Sequence, residues 1–207
     1  MLGNMAEPLN KTRKEQIISS AASLFKEKGY NVTTMRDIAL FLNIEAASLY
    51  HHIKSKEEIL ETICFAMADN FLTAISEVND IYFNAEEKLR MAIKNHVHIL
   101  TENQAQSAVF MHEWRHLPGA SLRDFKEMRN NYEEGFRKII EEGINEDLFS
   151  AVDLKFAVLS ILSSVNWINE WYSPEGKMTP DEIASKISDF VISGLRKTLV
   201  TDPHYKP

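Results

Sequence analysis

The chain has 207 residues and a formal net charge of −7, with 44% hydrophobic and 26% charged residues. This composition is typical of a globular protein and excludes a disordered or fibrous chain. The apolar runs are too short to predict a membrane span, residues 1–8 lack the features of a signal peptide, and a single cysteine excludes an internal disulfide framework, so we expect a cytoplasmic protein.

The charge is unevenly distributed along the chain. Residues 1–56 carry a net charge of +3, whereas residues 57–207 carry −10. A basic head on an acidic body suits a protein that meets nucleic-acid phosphates at one end only. We therefore predict a DNA-binding head over residues 1–55 and a ligand-binding and dimerisation body over residues 56–207.

Apolar residues recur at three- and four-residue spacings between only seven glycines and six prolines, which predicts an all-α fold of about nine helices. The first helix is expected to begin after Asn10 as N-cap and to end before Gly29. Thr34 can cap a second helix with Asp37 at its third position, and Asn43 then falls at a sharp turn that needs left-handed backbone. With the short helix that follows, this segment has the pattern of a helix-turn-helix.

The second helix of this pair is the predicted DNA-reading element. Ile44 and Leu49 anchor it to the head, and an exposed Tyr-His-His run suits phosphates and base edges better than it suits a solvated surface. Because Ala46 and Ala47 offer methyl contacts but no hydrogen bonds, we expect modest direct readout of the bases. DNA shape should then contribute a large share of the sequence specificity. The residues predicted to face outward are Ala46, Ala47, Ser48, Tyr50 and His51.

Six more helices are predicted in the body. The helix that follows Ser121 is expected to close at Gly143, and the apolar helix that follows Asp153 is expected to end at Trp171 and Tyr172. Polar capping residues mark the starts of the body helices. These residues are Ser55, Asn84, Ser121, Asp153 and Thr179.

The head carries a specific set of spaced residues. The set comprises Gly29-Tyr30, Thr33-Thr34, Ile38-Ala39, Asn43-Ile44, Leu49-Tyr50, His52 and Lys56-Glu57-Glu58-Ile59-Leu60. It resembles the head of the tetracycline-repressor (TetR) family of bacterial transcription regulators. Asn43 replaces the turn glycine that is usual in that family and Ile53 replaces the usual phenylalanine, but neither change removes a functional group.

The resemblance implies roles for individual residues and for the whole protein. Arg36 is also predicted to contact DNA, together with the phosphate-binding and base-contacting residues named below. The resemblance implies a homodimeric, ligand-responsive repressor that lays two recognition helices in successive major grooves of a near-palindromic operator. It implies phosphate contacts from Thr34, Tyr50, His52 and Lys56, and base contacts from Ala46, Ala47, Ser48 and His51.

The last two helices are predicted to form the dimer interface, as they do in that family. Their apolar surface exceeds what one small helical domain can bury alone, and Ser160, Ser163 and Gly194 permit close approach. We expect one face of the final helix to carry all of its apolar residues. These are Ile183, Ile187, Phe190, Val191, Gly194 and Leu195.

Aromatic and methionine residues in the middle helices suit a large apolar pocket, although any one of them is also compatible with ordinary core packing. The segments from Glu113 to Leu117 and from Trp167 to Gly176 resemble segments of TetR members that regulate fatty-acid or sterol breakdown. This resemblance implies a hydrophobic effector such as an acyl-CoA, and no cofactor is expected. The predicted ligand-binding residues are Phe71, Met91, Phe110, Met111, Trp114, Trp167 and Trp171.

An alternative function comes from residues 112–116, which match the zinc-protease motif H-E-x-x-H. In that motif His112 and His116 would bind zinc one helical turn apart, Glu113 would be the general base, and Glu134 could supply a third ligand. The segment is short, ends at a Leu-Pro-Gly sequence and lacks a strand-rich substrate cleft, so a chance match is favoured over a zinc-dependent hydrolase. No metal site and no enzymatic activity are therefore expected.

Overall fold

A computed structural model describes residues 12–197, which are almost entirely helical. Trp167 alone separates α8 from α9, so counting these two as one broken helix gives the predicted nine helices within the described residues. The all-α prediction is confirmed. The helices are α1 (Arg13–Lys28), α2 (Met35–Phe41), α3 (Ala46–His52), α4 (Lys56–Asp80), α5 (Ala85–Glu102), α6 (Gln104–His112), a 3-10 helix (Trp114–His116), α7 (Gly119–Asn145), α8 (Leu154–Asn166), α9 (Ile168–Trp171) and α10 (Pro180–Leu195).

Local capping explains where the head helices begin and end. Thr12, not Asn10, is the N-cap of α1, because its hydroxyl accepts the Glu15 backbone N–H while the Glu15 carboxylate accepts the Thr12 backbone N–H. Asn10 lies outside the described residues. Gly29 ends α1 with a φ of 90°, and Asn43 turns the chain between α2 and α3 with a φ of 52°.

Helix α4 connects the head with the body. Its first half, including Ile59, Leu60 and Ile63, packs in an apolar cluster that the head helices share with Val109, Leu117 and Phe125 of the body. Its second half, including Ile75 and Val78, packs in the apolar core of the body. Among the described helices, α4 alone is long and apolar enough to cross a membrane by length and composition. Its apolar side chains are instead buried against neighbouring helices, as in the core helix of a globular protein.

Helix α7 differs from its prediction at both ends. It begins at Gly119, since the Ser121 hydroxyl donates a hydrogen bond to the Glu61 carboxylate and caps nothing. It continues through Gly143, where a Cβ atom would lie 2.2 Å from Cδ2 of the Phe149 ring. Gly143 therefore allows a close ring contact inside the helix and does not end it.

The final helix α10 packs along α5, which divides its apolar residues into two groups. Ile183, Val191 and Leu195 are buried in the body core. Phe190 is 76% exposed, and Gly194 is also at the surface. The prediction of a single apolar face on this helix is therefore wrong, because one part covers α5 and the other part faces outward.

Candidate DNA interface and ligand cavity

Helix α3 presents an exposed surface on the head. Leu49 is fully buried and anchors the helix, whereas Ala47, Tyr50 and both histidines at its end are exposed. Ala46 and Ser48 are half-buried. The residues expected to read DNA thus lie on a short helix held by one buried leucine, and their contact with DNA stays a prediction.

Among the residues expected to bind phosphates, Thr34 and Lys56 already form hydrogen bonds within the protein. The Thr34 hydroxyl and backbone N–H both donate to the Asp37 carboxylate, and these hydrogen bonds hold the pKa of that carboxyl below its usual value. Arg36 is exposed. Lys56 Nζ donates to the Tyr30 carbonyl at 2.8 Å and lies 4.3 Å from the centroid of the Tyr30 ring. Lys56 therefore connects the start of α4 with the loop after α1, and its contact with a phosphate stays a prediction.

A cavity of about 220 Å³ lies among α4, α5, α6, α7 and α8 in the body. Four of the seven predicted ligand-binding residues line it, namely Phe71, Phe110, Met111 and Trp114. Both apolar and polar side chains from several helices therefore form its wall. The other lining residues are Ala68, Met128, Leu162, His96, Tyr132, Asn166, Arg115, Arg129 and Glu133.

The remaining three predicted ligand-binding residues lie outside this cavity. Met91 packs against the body core. Trp167, which follows the last residue of α8, is 65% exposed, and Trp171 is 44% exposed. None of these three residues lines this cavity, and their contact with a ligand stays a prediction.

His96 provides the polar wall at the enclosed end of the cavity. Its Nδ1 lies 2.8 Å from Tyr132 Oη and its Nε2 lies 3.0 Å from Asn166 Oδ1. Burial lowers the pKa of His96 to about 4, against the smaller opposing effect of the Asn166 hydrogen bond, and raises the pKa of Tyr132. The imidazole is therefore neutral at physiological pH.

The buried neutral imidazole predicts a pH-dependent loss of stability. Between pH 4 and 6.5 His96 is protonated in the unfolded chain but neutral in the folded protein. The free energy of unfolding therefore falls as pH is lowered through this window. His96→Gln removes the imidazole that causes this pH dependence. From pH 7 to pH 5, urea unfolding should show wild type losing about 2 kcal/mol more than His96→Gln, because one pKa unit corresponds to about 1.4 kcal/mol. Equal losses in the two proteins would contradict a neutral, buried His96.

The exposed end of the cavity is cationic. The Arg115 and Arg129 guanidinium groups lie over the Trp114 indole, at 4.5 Å and 4.9 Å from its ring. Within residues 12–197, no carboxylate forms a salt bridge with either arginine, although Glu133 also lines the cavity. Two guanidinium groups beside an aromatic surface form a suitable site for an anionic group.

A set of contacts, here called the clasp, joins the cavity wall to the head. Glu113 Oε1 accepts the Tyr30 backbone N–H at 3.2 Å, and Glu113 Oε2 lies 3.4 Å from His116 Nε2. The His116 ring stacks on Tyr30 with centroids 5.4 Å apart, and Asn31 Nδ2 lies 3.4 Å from His116 Nε2. Because Trp114 of the same segment lines the cavity, the clasp connects the two sites directly.

The H-E-x-x-H residues do not form the zinc-binding arrangement of that motif. His112 is the last residue of α6 and His116 belongs to the 3-10 helix, so the two do not share one continuous helix. His112 Nε2 lies 3.0 Å from Glu170 Oε1, and Glu134 pairs with Arg137. The described part of the chain contains no cluster of three or more His, Cys, Asp or Glu side chains that could hold a metal ion.

Some cavity residues that were not predicted could have been found from the helical spacing of apolar residues in the sequence. His96 lies three residues after Ile93 and four after Ala92, on the buried stripe of α5. Met128 and Tyr132 lie between Phe125 and Phe136 at the same helical spacing on α7. A polar residue within an apolar stripe is the available signal, whereas Asn166, Arg115 and Arg129 show no comparable pattern.

Known proteins resemble this chain along most of its length. Residues 17–63 match the sequence family described as bacterial regulatory proteins, tetR family, and residues 83–195 match the tetracyclin repressor-like C-terminal domain. The HTH-type transcriptional repressor KstR2 of Mycolicibacterium smegmatis is 27% identical over 192 residues, which are 90% of this chain and 92% of that relative.

Two solved structures resemble both the sequence and the fold. The TetR family transcriptional regulator PfmR from Thermus thermophilus is 31% identical, with a TM-score of 0.80 over 88% of this chain and 100% of that chain. AibR in complex with isovaleryl coenzyme A and operator DNA is 28% identical, with a TM-score of 0.76 over 89% of this chain and 98% of that chain. These relatives are described as transcription regulators and not as enzymes.

Proposed function

Because the chain belongs to the TetR family of bacterial regulatory proteins, we propose that it is a cytoplasmic transcriptional repressor that binds operator DNA as a homodimer under the control of a small molecule. The observation that carries this proposal is the connection of an exposed α3 surface, through α4 and the clasp, to a ligand-sized cavity. The zinc-hydrolase alternative is not supported by the relatives or by the geometry of residues 112–116.

Helix α3 is the proposed recognition helix. It lies in the major groove with Ala47 and His51 toward base edges and Tyr50 toward a phosphate. The methyl group of Ala47 can contact thymine but cannot form a hydrogen bond. Phosphate contacts and DNA shape therefore contribute much of the specificity for the operator.

The second copy of the chain covers the outer face of α8 and α10. Phe156 is 73% exposed and Phe190 is 76% exposed, which is unusual for two large aromatic side chains on a globular surface. Leu159 and the small residues Ser160, Ser163 and Gly194 lie on the same outer parts of these helices and allow two copies to approach closely. Dimers with two-fold symmetry bury the same face from each subunit, and such a face needs apolar residues at its centre.

The proposed effector is a thioester of coenzyme A or a similar acyl compound. Its apolar part enters the cavity beside Phe71 and Phe110, and its anionic part remains near Arg115 and Arg129 at the exposed end. The presence of isovaleryl coenzyme A in the AibR complex supports this class of ligand. No metal or other cofactor is needed for this function.

Helix α4 and the clasp connect ligand binding with the head, beside the direct packing of α6 on α1. Helix α4 lines the cavity with Ala68 and Phe71 and packs in the head core through its first half. The clasp connects Trp114 of the cavity wall with the loop at Tyr30. A ligand that moves either element changes the orientation of α3 relative to its symmetry mate, and thus the match to the ~34 Å repeat of successive major grooves.

The clasp predicts a coupling variant. Glu113→Ala removes the acceptor for the Tyr30 N–H, so ligand binding should change operator affinity by a factor at least fivefold smaller than in wild type. Allosteric coupling of this kind is worth about 1–3 kcal/mol, or about 5–150-fold in affinity. Anisotropy titrations with labelled operator, with and without isovaleryl-CoA, measure this factor.

The matched control for this coupling variant is Glu127→Ala, which removes an exposed carboxylate from α7. The control should retain the wild-type factor, and calorimetry on the free proteins should give equal ligand affinities for wild type and both variants. A full ligand response in folded Glu113→Ala would rule out the clasp as a coupling route and leave α4 and the contact of α6 with α1 as the alternatives.

The direct test of the proposed function is a titration of duplex DNA from upstream of the chain's own gene. The proposal predicts binding that exceeds binding to an unrelated duplex at the same salt concentration, and a change in this affinity when isovaleryl-CoA is added. Binding that ignores both DNA sequence and the CoA thioester would contradict it.

A further inference from the structure

Asn166 presents its amide oxygen, and not its Nδ2, to the buried His96 ring in the cavity wall. Asn166 Oδ1 faces His96 Nε2, and an amide oxygen can only accept a hydrogen bond, so Nε2 carries the ring hydrogen. The neutral ring then accepts the Tyr132 hydroxyl hydrogen at Nδ1. All three side chains are held in one arrangement, which leaves little freedom for the amide to turn.

This arrangement leaves a hydrogen-bond donor at the cavity. The Nδ2 group of Asn166 has no hydrogen-bond partner among residues 12–197, and Asn166 lines the cavity. Tyr132 has already given its hydrogen to His96, so its oxygen offers only lone pairs. Of the polar groups at this end, Asn166 therefore supplies the free N–H, which a bound molecule with an acceptor oxygen can pair.

The two ends of the cavity differ in the chemistry they favour. The exposed end has the Arg115 and Arg129 guanidinium groups beside Trp114, which suit an anion. The middle is lined by Phe71, Phe110 and other apolar side chains. An apolar chain that is anionic at one end and carries an oxygen acceptor near the other matches this order of groups.

The size of the cavity limits the part of the ligand that it can enclose. Its volume is about 220 Å³. An engineered cavity of about 150 Å³ binds benzene, so this one has room for about six to nine carbon atoms. A longer or bulkier head group has to remain at the exposed end, near the two arginines.

We propose that the cavity binds an anionic acyl thioester of about six to nine carbons whose acyl group carries an oxo oxygen near its far end, and that Asn166 Nδ2 is the donor that selects this oxygen. This inference rests on the proposed function, because it names the effector of the same cavity. A site whose N–H stays unpaired with the wrong ligand rejects that ligand, which is why one amide can set the preference.

The test compares three CoA thioesters of equal length by calorimetry on the free protein. Hexanoyl-CoA has no oxo oxygen, 5-oxohexanoyl-CoA has one near its far end, and 3-oxohexanoyl-CoA has one beside the thioester. The 5-oxo compound should bind at least fivefold more tightly than each of the other two. Similar affinities for all three in the unmodified protein would overturn the inference without any variant.

Two variants of Asn166 test the assigned donor. Asn166→Asp keeps the oxygen that faces His96 but lacks the N–H, and Asn166→Leu replaces the amide by an apolar group of similar size. In both, the preference for the 5-oxo compound over hexanoyl-CoA should disappear, and circular dichroism checks the fold. A fivefold preference that survives in either folded variant would overturn the assignment to Asn166.

A third variant separates the two ends of the cavity. Arg129→Gln should weaken binding of all three thioesters by the same factor and leave the ratios of their affinities unchanged. The control Arg123→Gln, at an exposed position on the same helix, should change neither the affinities nor their ratios. If none of the thioesters binds, the CoA effector of the proposed function fails together with this inference. If all bind equally well, only the inference fails.

Discussion

Replacing Phe156 and Phe190 together by aspartate should convert the protein into a monomer and lower operator affinity by at least 100-fold. Both rings are mostly exposed on α8 and α10, and the proposed two-fold dimer would bury four such rings. Burial of one phenylalanine side chain contributes about 1.5–3 kcal/mol, so the four rings contribute about 6 kcal/mol or more. Aspartates at the same positions would also place like charges in an apolar contact.

The control for this double variant is Phe83→Asp, which puts the same charge in place of another exposed phenylalanine, in the loop between α4 and α5. Sedimentation velocity should show dimers for wild type and the control, and monomers for the double variant with unchanged helix content. A dimer that persists in the double variant would locate the interface on another surface. Leu195 is unsuitable for this test, because it is buried in the body core of each subunit.

Ala47→Glu should abolish specific operator binding, with a loss of at least 100-fold, while the protein stays folded and dimeric. Ala47 is exposed at the second position of α3, where a carboxylate is compatible with the helix dipole and costs little stability. In the major groove the same carboxylate would meet base-edge acceptors and nearby phosphates after losing its water. The effect therefore appears in DNA binding and not in folding.

The matched control for Ala47→Glu is Ala66→Glu, an alanine exposed on α4 in the body. It adds the same charge to the protein but should change operator affinity by less than threefold at 150 mM salt. Anisotropy titrations on one operator duplex compare the two variants. Equal affinities for Ala47→Glu and wild type would remove α3 from the DNA interface.

The head could be predicted closely because its signals are local. The reciprocal hydrogen bonds of Thr34 and Asp37 follow from their spacing, and the left-handed turn at Asn43 follows from the tolerance of asparagine for that backbone. Leu49 had to be buried because it is the large apolar residue in the middle of a short polar helix. Lys56 shows the limit of this reasoning, because its bond to the Tyr30 carbonyl joins residues far apart in the chain.

The cavity could be predicted only in part, because it depends on how several helices are oriented. Phe71 and Phe110 were predicted because aromatic and methionine residues cluster in the middle helices, but such clustering does not tell which neighbour a helix face meets. Trp167 and Trp171 were expected at the pocket for the same reason, but they are exposed and do not line this cavity. Gly143 shows a related limit, because a glycine that ends a helix and one that admits a ring look alike in sequence.

The most direct test of a dimeric, sequence-specific repressor is selection of bound duplexes from a random pool by the purified full chain, followed by sequencing. We expect enrichment of one near-palindromic sequence whose half-sites lie about 10 base pairs apart, because in the proposed dimer two α3 helices related by two-fold symmetry reach successive major grooves. A pool that stays random after repeated selection, or one enriched in a single half-site without symmetry, would contradict it.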